Sequence, residues 1–493
     1  MAETTASSTA ATPVAGVSML TVRISKSPQL ALPALDFVDG LEFAVPAEFT
    51  KRSLCELLDE LLKQQHQEQH TQQVIDDEVE DTRQHPRVRT DRLDFVVVEK
   101  NELLRTSLKN FCETRGLSFE KTVELQCVQA FDAKAKTRRR SKQVPSWMSA
   151  MCWSRVRSEL VVGVCNGMVV TYSVLGDGQT TENPFPFSSN GEAATGSSPV
   201  RDVCWVHTGE NIHFAAATEA GSVYIGDTGR KAESSHGTLA VCQTADDASS
   251  ANALAGDFHD STSLSTLFVG YESGFVRAFS LSQAALSPIS REASGKQRKR
   301  KNSDTVELFP QSETKFHSGP VCDLLVPNRQ HFLFSASMDG LLHQVDTTAW
   351  KTVRTILAGG GKAVTGLTPW GRHDSSAGRF VTSCMDGALR LCDFNASEQS
   401  GVTALKAPDC LAQLCLSSSP INEMHVASGG KDGSVRIWDI RSPKVPLHRY
   451  TDVHGEEGTV QAVEWISSTD SHGDGSSRLY SCGSNGCLVE FLL

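Results

Sequence analysis

From residue 147 onward, apolar and polar positions alternate in short runs that turn dipeptides interrupt, the pattern of half-buried β-strands. The plainest case is GGKDGSVRIWDIRSP at 429–443. It predicts a strand, a turn at Asp432-Gly433, and a second strand in which Val435 and Ile437 face one way and Arg436 the other, ending in Trp438-Asp439. An Asp-Gly pair suits a type I′ hairpin, which needs positive φ at both central residues. Turns of this kind recur at Asn166-Gly167, Ala220-Gly221, Ser273-Gly274, Asp339-Gly340, Asp386-Gly387, Asp432-Gly433 and Asn485-Gly486. Their glycines are 54, 53, 66, 47, 46 and 53 residues apart, so one unit repeats seven times.

A period just above the roughly 40–45 residues of a WD repeat, with several short strands per unit, predicts a seven-bladed β-propeller over 147–493. The extra length falls in Ser/Gly/Pro-rich inserts such as ENPFPFSSNGEAATGSSP, read as loops. Six residues beyond the start of each turn stand Tyr172, Gly226, Phe279, Val345, Cys392, Trp438 and Phe491, only one of them a tryptophan. The repeat is therefore degenerate, and its His-Ser-Asp-Trp hydrogen-bonded sets are expected to be largely absent. The fourth unit keeps His317, a serine at 335 or 337, and Asp339. Asp432, Trp438 and Asp439 are the structural WD residues of the sixth. Phe491 is expected in the third strand of the last blade, which leaves that blade one strand short. A segment within 132–146 is the spare candidate to close the ring, with Lys and Arg discouraging stray pairing at the edge.

Ahead of the repeats the pattern changes. SMLTVRISK alternates as a strand, LEFAVPAEF follows as its hairpin partner, and the leucines of SLCELLDELLKQQ line one face of a helix. Ser53 and Glu56 have the spacing of a capping box at its start. Residues 63–90, rich in Gln, His and acidic side chains, read as a disordered insert. Strands resume with Leu93, Phe95 and Val97, and a polar turn carrying Glu99 and Glu102 follows. A short helix begins near Leu108, and TVELQCVQAF is the last strand. The order β-β-α-β-β predicts a ubiquitin-like β-grasp (α+β) domain over 18–131, after a small, polar tail at 1–17 expected to be disordered. The fold class is thus mainly β.

Charge and composition narrow the function classes. The net charge of −11 argues against a surface that wraps nucleic acid, yet basic residues cluster in KAKTRRRSK at 134–142 and GKQRKRKNS at 295–303. If the first run lies on the closing strand, the second is the better nuclear-import candidate. Its residues are Lys296, Arg298, Lys299, Arg300 and Lys301, within a basic insert at 282–316. The fourteen cysteines are scattered without C-x-x-C pairs, as expected of reduced thiols in the cytosol or nucleus. No stretch approaches the ~20 apolar residues of a membrane helix. No phosphate-binding loop, nucleophile elbow or H-E-x-x-H motif is present, so the expectation is an interaction scaffold and not an enzyme.

In FVVVEKNELLRTSL, PSWMSAMCW, the basic insert KQRKRK and DGSVRIWDIRSPKVPL, the chain resembles the WD-repeat ribosome-biogenesis factors of the PeBoW complex, from about residue 18 to its end. It departs from them in its missing tryptophans and Gly-His pairs, the 63–90 insert and several enlarged loops. The resemblance implies partnership with Pescadillo and the block-of-proliferation protein on a precursor of the large ribosomal subunit, in nucleolus and nucleoplasm. It also implies that the grasp domain docks on the metal-ion-dependent adhesion site of the AAA ATPase midasin, which then pulls the complex off the particle. A carboxylate of the grasp domain would complete the shell of a Mg²⁺ held by that partner, the protein binding no cofactor itself. Mg²⁺ takes hard oxygen ligands, so an exposed, rigidly placed and unpaired carboxylate suits the task. Glu102 stands at the family's position, with Glu99 as the fallback. Two other readings are Notchless, a related assembly factor with an eight-bladed propeller, and a propeller adaptor for ubiquitin ligation.

Overall fold

The structure is a computed structural model. It describes residues 18–492 apart from 29, 31–32, 74–89, 132–135, 140–145, 175–179, 187–197, 209–210, 227–237, 243–248, 257–263, 283–305, 328–330, 371–377, 397–401, 456–457 and 468–476. It divides into two compact units, 1–132 and 133–493.

The first unit contains β1 (Met19–Lys26), β2 (Leu41–Pro46), α1 (Lys51–Gln73), β3 (Leu93–Val97), β4 (Glu102–Leu103), α2 (Leu108–Arg115) and β5 (Val123–Gln129). The strands form one sheet in the order β2-β1-β5-β3-β4. Its central pair, β1 and β5, runs parallel; the other neighbours are antiparallel. Leu54, Leu58 and Leu62 of α1 recur every four residues and are buried with Val22, Ile24, Phe95 and Leu125 in a single core. One helix thus covers one face of a five-stranded sheet.

Two local expectations need correction here. The residue that caps α1 is Thr50, whose carbonyl receives the Leu54 N–H at 3.0 Å, while Ser53 Oγ reaches back to the Thr50 N–H at 3.5 Å. Glu56 instead pairs with Arg52 one turn earlier, at 3.0 Å. Nor does order stop at residue 63: the helix continues to Gln73. Gln, Lys and Glu are good helix formers and no Gly or Pro interrupts them, so low hydrophobicity alone did not end the helix. The remainder of the 63–90 stretch, up to the short 3-10 turn Thr90–Arg92, lies outside the described residues.

The second unit is a WD-repeat β-propeller. Seven sheets follow one another along its chain, and the first strand of each packs on the first strand of the next. These inner strands are Met148–Ser154, Val200–Thr208, Ala251–Gly256, Val321–Leu325, Val364–Pro369, Gln413–Ser418 and Val460–Ser467. The seventh also packs on the first, so the ring is closed. We number the sheets blades 1–7. Every inner strand carries a register irregularity near its start, where it bends into the ring. Buried carboxylates tie neighbouring blades. Asp202 of blade 2 accepts the Leu254 N–H of blade 3, and Asp323 of blade 4 accepts the Leu367 N–H of blade 5, both at 2.7 Å.

In blade 7, Leu488–Leu492 pairs on its outer side with β6 (Lys136–Arg139), in the antiparallel register Val489↔Arg139 to Leu492↔Lys136. Blade 2 takes Val306–Leu308 as an added parallel strand, and Ser312–Lys315 is the outer strand of blade 3. The end of the basic insert 282–316 is therefore sheet. Strand alternation in SETK and the Arg277–Glu313 ion pair at 2.9 Å hold it there.

The seven turn glycines all have positive φ, from 67° to 86°, but the residues before them do not. The hairpins are therefore not type I′. The glycine N–H bonds back to the carbonyl three residues earlier, as in Gly433 to Gly430 at 3.2 Å, and the glycine alone takes the left-handed position. At Gly387 an added Cβ would stand 2.3 Å from the Cys410 carbonyl oxygen, so that turn excludes any side chain.

Candidate partner-binding site

The acidic corner expected to dock a partner lies between β3 and β4. β3 is buried along its whole length, and its pairing with β4 sets Val97 opposite Glu102. The connecting residues 98–101 make a tight turn, with Lys100 N–H bonded to Val97 O and Asn101, at φ 51°, bonded to Val98 O.

The motif that follows has a structural reading residue by residue. Leu103 and Leu104 enter the core. Arg105 reaches the buried Asp94 at 3.2 Å, and Asp94 also takes Lys51 of α1 at 2.5 Å. Ser107 caps α2 by accepting the Asn110 N–H, Leu108 is buried, and Gly116 ends the helix in the left-handed conformation. This ending places Arg115, the last basic residue of α2, beside β4.

There it meets Glu102. Arg115 Nη2 and Nε lie 2.7 and 2.8 Å from Glu102 Oε2, and both side chains are about three-quarters buried. Glu102 is thus already paired, contrary to the expectation of an unpaired carboxylate at this position. No local pattern links residues 102 and 115; the sequence signal was only that a basic side chain often ends a helix. Glu99 is fully on the surface and has no ion pair among the described residues. The corner therefore offers one free carboxylate and one held by a guanidinium. Lys296, Arg298, Lys299, Arg300 and Lys301, the nuclear-import candidates, lie outside the described residues.

The propeller's polar residues do structural work. In blade 4, His317 lies 3.1 Å from Asp339 through Nδ1 and 2.9 Å from Ser335 through Nε2, which selects Ser335 over Ser337. Burial lowers the pKa of His317 despite the nearby Asp339. Blade 7 repeats the arrangement with His454, Asn485 and Ser481, each contact 2.8 Å, a set that sequence reading missed because asparagine replaces the aspartate. In blade 6, Trp438 donates to Ser428 at 3.0 Å, Asp432 binds Arg436 at 2.6 Å, and Asp439 binds Arg441 at 2.7 Å. All seven residues six beyond the turn starts are buried, from Tyr172 to Phe491. The fourteen cysteines are free thiols, and burial pushes those of Cys127 and Cys392 up to about 12. Among the described residues no three His, Cys, Asp or Glu side chains are grouped to hold a metal ion.

Comparison with known proteins agrees with the geometry. A family model described as WD domain, G-beta repeat, matches residues 399–439, the outer strand of blade 5 and the first three strands of blade 6. The "Ribosome biogenesis protein YTM1" of Laccaria bicolor is 23% identical over 398 residues, covering 76% of this chain and 80% of that protein. The protein of the same name from Chaetomium globosum is 24% identical over 402 residues, covering 76% and 77%. The "Ribosome biogenesis protein WDR12 homolog" of Nematostella vectensis is 33% identical over 89 residues, 18% of this chain and 21% of its own.

Proposed function

We propose, for a WD-repeat protein related along three-quarters of its length to ribosome biogenesis proteins, that it is itself an assembly factor for the large ribosomal subunit. The observation that carries this reading is the extent of that similarity: a likeness confined to one WD repeat would be common to many propellers, whereas this one runs through most of the chain. Its work is non-enzymatic. The propeller holds Pescadillo and the block-of-proliferation protein on the precursor particle, in nucleolus and nucleoplasm, and pre-rRNA processing proceeds on that scaffold. Affinity purification of the tagged full chain from its own cells tests this. Those two partners and precursor RNAs of the large subunit are the expected companions. Recovery of ubiquitin-ligase subunits in their place would transfer the chain to the adaptor class.

The first unit is the handle for removal by midasin. A mixed sheet with a parallel central pair and one helix across it supports a ubiquitin-like reading. Its acidic corner would supply the carboxylate that completes a Mg²⁺ shell on the partner's adhesion site. Such a ligand must reach a hard cation without first losing a stronger partner. Glu99 meets that condition as it stands. Glu102 meets it only by leaving Arg115, at a cost on the order of 1 kcal/mol for a partly exposed pair.

We expect full-length Glu99→Ala to lose Mg²⁺-dependent binding to the isolated adhesion domain, with the first unit still folded, because Glu99 is exposed and outside the core. Glu99→Gln should fail nearly as badly, since a neutral amide is a poor Mg²⁺ ligand. If only Glu102→Ala abolishes binding, Glu102 swings away from Arg115 to serve. Binding that survives loss of both carboxylates places the handle elsewhere.

A further inference from the structure

One end of the propeller is built by a repeating contact. In each blade the residue just before the turn dipeptide donates its N–H to the carbonyl of the residue that precedes the inner strand. Examples are Met338 to Pro320, Met385 to Ala363 and Lys431 to Ala412, at 2.8–3.0 Å. Blades 2 and 3 do the same through Glu219 and Glu272. The seven turns therefore share one end of the ring, and the side chains at this position sample its surface blade by blade.

That surface is not uniform. In blades 2 and 3 the position is acidic; in blades 4, 5 and 6 it is Met338, Met385 and Lys431. Met338 and Met385 are 51% and 45% exposed. The segments between blades bring two more apolar side chains to the same end. Leu357, 55% exposed, begins the connector 357–362, which lies against the Gly340 turn through Gly359 N–H to Gly340 O at 2.9 Å. Leu411, 56% exposed, follows Cys410, whose carbonyl oxygen crowds Gly387. The connector also passes Arg390 of blade 5, whose guanidinium would stand 3.3 Å from a Cβ added at Gly360.

Four exposed apolar side chains on blades 4 and 5 and the connectors that follow them need an explanation in a chain with net charge −11. The charges around them indicate what covers them. The aspartates of this end are already engaged: Asp339 by His317, Asp386 by Arg390 at 2.5 Å, and Asp432 by Arg436. Lys362 and Lys431 are exposed and have no ion pair among the described residues. The patch is thus apolar with unneutralised positive charge beside it, whereas the same end carries the exposed Glu272 at blade 3 and, at blade 2, Glu219 paired with Arg201 at 2.9 Å. Methionine side chains suit such a role because they repack around varied apolar partners.

We propose that Met338, Leu357, Met385 and Leu411, with Lys362 and Lys431, form a docking surface for an acidic amphipathic segment of a partner protein. Apolar side chains of that segment seat on the methionines and leucines, and its Asp or Glu side chains meet the two lysines. Glu272 on blade 3 disfavours it there and so helps fix where on the ring it lies. The surface belongs to the propeller alone and does not depend on the acidic corner of the first unit or on the assembly-factor reading.

The test uses the full chain and a fluorescein-labelled synthetic helix of about 18 residues with leucines on one face and glutamates on the other. Fluorescence anisotropy should show saturable binding of this peptide. A scrambled peptide and one with lysine for every glutamate should not bind. Met338→Ser/Met385→Ser/Leu411→Ser should weaken binding by about tenfold or more, as expected when the apolar anchors of an interface are lost. Lys362→Glu/Lys431→Glu should also weaken it about tenfold and flatten its dependence on salt. These side chains are exposed, so the melting temperature should hold; should the triple variant misfold, the charge pair still decides. Equal binding of acidic and basic peptides, binding unchanged in both variants, or no binding of the acidic peptide overturns the proposal. So does self-association of the chain, seen by sedimentation and abolished by the triple variant, since the patch is then an interface between copies.

Discussion

Blades 4 and 6 build the same four-stranded sheet around different polar interiors. In blade 4 the turn aspartate, Asp339, is held by a buried imidazole, and His317 passes the contact on to Ser335. In blade 6 Asp432 is held by the fully buried Arg436, four residues along the next strand, and the equivalent inner serine, Ser428, accepts from Trp438 and donates to Gln413 at 2.7 Å. Gln413, the first residue of its inner strand as Val321 is in blade 4, takes over the serine contact that His317 makes there, and bonds onward to the Leu411 carbonyl at 2.8 Å. What is shared is the demand, not the residue. A turn carboxylate must be neutralised and a buried serine must find partners, and His-Asp or Arg-Asp satisfies that equally.

The strongest way to break the comparison is to remove a buried charge partner. Arg436→Ala empties a fully buried site and leaves Asp432 to Arg449, 3.1 Å away, and Ser434, and should cost about 3 kcal/mol, the low end for a buried ion pair cut on one side. Asp339→Asn in blade 4 leaves a neutral amide beside an imidazole, and should cost roughly 1–2 kcal/mol. Urea unfolding of the two variants measures both; equal losses would show that the two blades are wired alike after all.

Acid sharpens the difference. His343 lies beside His317, ring centroids 4.4 Å apart, and hydrogen-bonds Thr355 at 2.7 Å. Burial, and then the neighbouring His317, lowers its pKa from 6.5 to about 4. The folded protein thus favours neutral imidazole. The stability this contributes is present above the unfolded pKa and is lost as pH falls from about 6.5 toward 4. At pH 5 the loss is roughly 2 kcal/mol relative to neutral pH. His343→Asn should remove that part of the acid sensitivity. Asp202 and Asp323 act in the opposite sense. Burial raises them to about 7 and about 8, so their contribution is full below the unfolded pKa near 3.8 and declines as pH rises toward those values. The difference between wild type and His343→Asn, measured by melting at pH 7 and pH 5, cancels this common background. A difference that does not change with pH would contradict the assignment.

The smallest effect expected is on the inner serines. Ser335→Ala and Ser428→Ala each remove one buried hydroxyl and should cost about 1 kcal/mol, with Ser428→Ala the larger because two partners lose a contact.

How much of this was legible in the sequence follows from the reach of each signal. Turn glycines, and the buried position a fixed distance beyond them, are local and could be counted along the chain. Trp438 and Asp432 were visible for the same reason. The role of Gln413 was not, because a glutamine at the first position of an inner strand leaves no pattern that marks it. Arg115 holding Glu102 and His454 holding Asn485 depend on residues 13 and 31 apart meeting through the fold. The type I′ expectation for the turns failed because Asp-Gly also suits a hairpin in which only the glycine is left-handed. There, Asp432 Oδ1 accepts the Ser434 N–H at 3.3 Å. The corner of the first unit shows the consequence for function: the residue at the family's position was found, but its ion partner was not.

The account's central claim is that this propeller works on large-subunit precursors. Sedimentation of a cell extract through a sucrose gradient, followed by detection of the tagged full chain, tests it most directly. The chain should travel with precursor particles of the large subunit, and its depletion should make unprocessed large-subunit rRNA accumulate. A chain that stays at the top of the gradient, with rRNA processing unchanged by its loss, would contradict the account.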